Sequence, residues 1–111
     1  MRDSSSPSSF KRLGFGAFCG LFTACATVVP HATALDAAWA KGRFPSANAQ
    51  TLEEGRATYV NRCGGCHSLK APKSKPQAEW TSWVAKMAPR ARLSELQRTS
   101  VLQYLETFSR P

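Results

Sequence analysis

The chain has 111 residues, with 15 Lys and Arg against 7 Asp and Glu, a formal charge of +8. That length builds one small domain and leaves no material for a second core. With 42% apolar and 20% charged residues, the composition excludes a fibrous or wholly disordered chain. The averages hide a division, because residues 13–29 carry no charge and the first nine are rich in serine.

The first third reads as a secretory leader. Arg2, Lys11 and Arg12 form a positive n-region, residues 13–29 an apolar h-region, and Ala32-Thr33-Ala34 a small-residue cleavage site. Residues 1–34 are therefore expected to be a cleavable signal, with the mature chain beginning at Leu35 in the periplasm. The alternatives are a retained anchor facing the periplasm, or a lipoprotein cut before Cys25. The apolar run is short against the ~20 residues that span a bilayer. Contact with a membrane is expected only if the leader is retained or lipidated at Cys25. Cleavage after Ala34 leaves 77 residues, with 12 basic and 6 acidic side chains, a net +6. So small a domain usually needs a disulfide, a metal or a large cofactor to be stable. No nucleic-acid partner is expected.

Residues 35–50 show no sustained periodicity and are expected to form an irregular arm, followed by one domain over residues 51–111. Thr51-Leu52-Glu53-Glu54 resembles a capping box and predicts a helix start. Leu52, Gly55, Tyr59 and Cys63 then share one helical face. A basic loop with Lys70, Lys73 and Lys75 follows. Pro76 suits the first turn of a second helix, which Pro89 terminates. In it Trp80, Trp83, Val84 and Met87 share a face. Ser94-Glu95-Leu96-Gln97 is a further capping box, and Val101, Tyr104, Leu105 and Phe108 repeat the helical spacing. The expected fold is all-α, with about three helices and no β signature.

The most specific signal is Cys63-Gly64-Gly65-Cys66-His67. Cys-x-x-Cys-His is the attachment signature of c-type haem. Two cysteines at this spacing can reach both vinyl groups of one macrocycle, and the adjacent His67 offers a ring nitrogen to the iron. Glycines between them let the backbone pass close to the porphyrin edge. A redox dithiol would follow a strand, whereas the residues before Cys63 look helical. A zinc site needs four ligands, and the mature chain offers only Cys63, Cys66, His67 and carboxylates. A disulfide across two residues closes too small a loop to stabilise much.

Gly55-x-x-x-Tyr59-x-x-x-Cys63-x-x-Cys66-His67, with Leu93-Ser94 and Val101-Leu102-x-Tyr104-Leu105 downstream, resembles the small class I c-type cytochromes over about residues 51–108. The resemblance implies a cytochrome c-like fold around one covalent haem c. It also implies that the first and last helices cross, with Gly55 or Tyr59 against Tyr104 or Leu105. A shorter pattern, Trp80-x-x-x-Val84-x-Lys86-Met87 before a proline, is similar to haem subunits of periplasmic dehydrogenases such as sulfite dehydrogenase.

For the second axial position, Met87 is the one methionine beyond Met1, and His31, the one other histidine, falls in the leader. Met87 is thus the candidate sixth ligand. Core packing of Met87, a lysine ligand or an open iron site are the alternatives. A fixed His67–Met87 pair implies an electron carrier rather than an enzyme, passing single electrons between a dehydrogenase and a downstream acceptor. An open site would instead imply a ligand-binding or sensing haem protein. Lys70, Lys73, Lys75, Lys86, Arg90 and Arg92 are expected near the haem rim, facing an acidic redox partner.

Overall fold

The computed structural model describes residues 29–65 and 68–111. The n-region, Cys25 and nearly all of the h-region lie outside the described residues, as do Cys66 and His67.

The described chain is all-α, as expected, but with four α-helices: α1 (Ala34–Arg43), α2 (Ala49–Thr58), α3 (Gln77–Met87) and α4 (Glu95–Phe108). A single π-helical turn, Tyr59–Cys63, continues α2, and a 3-10 turn, Pro72–Ser74, precedes α3. No strand occurs among the described residues.

The segment expected to be an irregular arm is largely helical. Thr33 caps α1: its hydroxyl accepts from the Asp36 N–H, and the Asp36 side chain accepts from the Thr33 N–H at 2.9 Å. A cap of this kind contributes about 1 kcal/mol. The inward face of α1 is built from Asp36 and Ala40, with Ala37 partly buried, so it lacks the large apolar residues that reveal a helix by periodicity. Asp36 is anchored by Arg110 at 2.6 Å. Burial pushes its carboxyl up, but the hydrogen bonds from Thr33 and Arg110 outweigh this and hold it below the ordinary value.

The cap of α2 also differs from expectation. Asn48, not Thr51, is the N-cap: Asn48 Oδ1 accepts from the Thr51 N–H at 3.0 Å, and Thr51 Oγ1 accepts from the Asn48 N–H at 2.9 Å. Thr51 is the returning partner of that box, so the helix begins three residues earlier. The Ser94 box is as expected, with Gln97 as its partner.

Helix α2 lies across α4. Leu52, Gly55 and Tyr59 are buried on the α2 side, and Ser100, Val101, Tyr104 and Leu105 on the α4 side. The close approach is made at Gly55, where a Cβ would stand 2.6 Å from the Ser100 carbonyl carbon and 3.0 Å from Tyr104 Cβ. This is the crossing that the resemblance implied. Helix α3 closes the other side of α4 through Trp80 and Val84, forming one apolar cluster with Tyr59, Val101, Tyr104, Leu105 and Phe108. A second, smaller cluster of Ala40, Ala47 and Leu52 seats α1. Glu106, 3% exposed, ties three elements by accepting from Arg43 Nε at 2.7 Å, Thr81 Oγ1 at 3.0 Å and, through its carbonyl, Gln77 Nε2 at 3.0 Å.

Candidate haem cleft

Between the π turn, α3 and α4 the fold leaves a cleft of about 530 Å³, a size that suits a ligand pocket. Its floor is apolar and comes from the faces expected from periodicity: Trp80, Trp83, Val84 and Met87 of α3, and Val101 and Leu105 of α4. Cys63 and Tyr59 border it on the π turn, and Ala88, Ala91 and Leu93 on the chain after α3. Cys63 and Met87, assigned to one site from sequence alone, therefore line one cavity. The placement of Cys66 and His67 is outside the described residues.

The chain on both sides of Cys66 and His67 is held. Gly64 packs so closely that a Cβ would stand 2.6 Å from the Val60 carbonyl oxygen and 3.3 Å from Leu69 Cγ. At Gly65 a Cβ would meet none of the described residues within 4 Å. Among the described residues, Gly64 is thus held to glycine by its surroundings. Beyond the motif, Tyr59 clamps the returning chain: its hydroxyl donates to the Lys70 carbonyl at 2.7 Å and accepts from the Lys70 N–H at 3.2 Å. Burial pushes the Tyr59 phenol up to about 12, with the Lys70 backbone opposing the shift and Cys63 adding to it. The hydroxyl therefore stays protonated, and able to donate, at any neutral pH. A π turn at this point also fits the tendency of such turns to occur at functional sites.

The far wall is set by how α3 ends. Pro89 has no N–H to continue the helix, and Arg92 takes up the left-handed conformation at φ 54°. The Leu93 N–H donates to the Ala88 carbonyl at 3.0 Å and the Arg92 N–H to the Pro89 carbonyl at 3.2 Å. This pair of bonds is a Schellman ending, and it folds Leu93 back onto the cleft. The ending usually takes glycine; the arginine here gave no sign of it in the sequence.

The basic rim is only partly as expected. Lys70, Arg90 and Arg92 line the cleft, joined by Arg62, which the sequence reading did not single out. Lys73 and Lys86 are exposed but do not line it. Lys75 turns inward, with its ammonium 4.2 Å from the Trp83 ring centroid and 3.8 Å from Glu79. It supports the Trp83 wall as a cation–π partner.

Among the described residues no helix is long and apolar enough to cross a membrane, and no cluster of three or more His, Cys, Asp or Glu side chains could hold a bare metal ion. Comparison of the chain with protein-family models, curated proteins and solved structures finds no match.

Proposed function

We propose that the chain is an exported mono-haem c-type cytochrome that carries single electrons between a dehydrogenase and a downstream acceptor. The observation that carries this reading is the cleft: an apolar cavity with Cys63 of the Cys63-x-x-Cys66-His67 motif at one wall and Met87 at another. The residues fit the group. Cys63 and Cys66 would hold haem by thioether bonds, and His67 and Met87 would bind its iron. Trp80, Trp83, Val84, Val101 and Leu105 offer it an apolar bed. When bound, haem supplies a one-electron iron couple whose potential methionine ligation raises.

The chain's own part is to hold and to shield. Gly64 and the Tyr59–Lys70 clamp fix the two ends of the attachment loop. The Schellman ending holds Ala88 and Leu93 beside Met87. If His67 and Met87 both hold the iron, no coordination site would be left for a substrate, which favours a carrier over an enzyme. Arg62, Lys70, Arg90 and Arg92 give the rim a positive field suited to an acidic redox protein.

The test is spectroscopic. The oxidised protein is expected to be low-spin with a weak far-red sulfur-to-iron band, which Met87→Ala abolishes, and the reduced protein to bind carbon monoxide poorly. A high-spin wild-type spectrum with ready carbon monoxide binding would replace the carrier by the ligand-binding or sensing alternative.

A further inference from the structure

Residues 29–34 include the end of the expected leader and its cleavage site, yet they are packed into the domain by partners on three helices. The Val29 carbonyl accepts from Arg56 Nε at 2.9 Å. The Pro30 carbonyl accepts from the hydroxyl of Tyr104 at 2.8 Å, and Tyr104 is fully buried in the core. Glu53 receives the Ala32 N–H at 2.6 Å on one carboxylate oxygen and stands 3.0 Å from His31 Nδ1 on the other. Val29 and Ala32 pack against the main cluster, and Ala32 also against the smaller one. Thr33 then caps α1, of which Ala34 is the first residue.

A cut after Ala34 would undo all of this at once. The buried Tyr104 hydroxyl would lose its acceptor, Glu53 and Arg56 their partners, and α1 its cap. The new amino group would place a positive charge at the N-terminal end of α1, where the helix dipole disfavours it. Segments that are discarded have no reason to satisfy buried groups of the domain they leave. The leader also has another small-x-small site, Ala24-Cys25-Ala26. A cut there leaves an h-region of eleven residues, 13–23, ahead of the site, within the usual ~7–15.

We propose that residues 29–34 are a permanent strap of the folded domain and that the leader is removed upstream of Val29, not after Ala34. The step is hydrolysis of one peptide bond by an export peptidase, water supplying the hydroxyl of the new carboxyl end and the proton of the new amine. The mature chain thus keeps His31, but paired with Glu53 and away from the cleft lining. Met87 then remains the candidate ligand because of where His31 sits, not because His31 is lost.

The experiment is to express the full chain in an exporting bacterial host and determine the intact mass and N-terminal sequence of the folded product. The expected product begins at Thr27 or at another residue from Cys25 to Val29, and Ala34→Phe, which blocks a cut after residue 34, leaves that terminus unchanged. A product that keeps Met1, one that begins after Val29, or a terminus that moves upstream in Ala34→Phe, would overturn the proposal. The mass of any attached haem is read separately in the same spectrum, so failure of the cytochrome reading and failure of the strap are distinguishable.

Discussion

Gly55 of α2 meets Tyr104 of α4 at a distance that leaves no room for a side chain: a Cβ at residue 55 would lie 3.0 Å from Tyr104 Cβ and closer still to the Ser100 backbone. Two effects of Gly55→Ala oppose each other. Alanine raises helix propensity by about 1 kcal/mol, whereas forcing apart a packed crossing costs about 1–3 kcal/mol. Because the obstacle is backbone, which cannot rotate away, the second effect is expected to win. Thermal unfolding should show Gly55→Ala melting several degrees below wild type, while Gly42→Ala in α1, where no described atom stands within 4 Å of the added methyl, should not melt below it.

The Tyr59 clamp gives a prediction in pH. The phenol titrates near 12 in the folded chain against an ordinary 10. A group whose folded value is raised contributes stability that is complete below the unfolded value and lost as pH rises through the folded one. Denaturant unfolding should therefore show stability falling from about pH 10 upward. Tyr59→Phe should make that fall shallower, leaving the part due to Tyr104, whose phenol burial also pushes up, and should cost about 1 kcal/mol at neutral pH through the two lost bonds to Lys70. An unchanged alkaline limb in Tyr59→Phe would exclude this role.

Steering by the rim should depend on salt. Exposed charges act over about 10 Å at 0.1 M ionic strength. Replacing Lys70, Arg90 and Arg92 by Gln should slow association with an acidic redox partner at low salt and leave the optical spectrum unaltered. Lys75→Gln should have less effect on that rate, since Lys75 is held against Trp83 and Glu79. Equal rates for all variants at every ionic strength would mean that docking is apolar.

What the sequence disclosed, and what it concealed, follows from the kind of signal each residue sends. The α3 face of Trp80, Trp83, Val84 and Met87 is large and periodic, so its common orientation toward one cleft was legible. Ser94 and Gln97 carry a local box that needs no tertiary partner, and α4 began where it was expected. Helix α1 escaped because its buried face is Asp36 and Ala40, which periodicity reads as polar or neutral. Its stability comes from Thr33 and from Arg110, 74 residues away from Asp36. The Tyr59–Lys70 clamp and the Arg92 turn escaped for related reasons: one is a contact across a loop, the other a left-handed position without its usual glycine.

The most direct test of the central claim is whether haem is bonded to the chain. After co-expression with a haem-ligation system, the purified protein should carry the mass of one haem. Acid–acetone extraction should leave the colour on the polypeptide, with Cys63→Ala plus Cys66→Ala yielding little folded protein. Colour passing into the organic phase, or a wild-type mass equal to that of the polypeptide alone, would contradict the account.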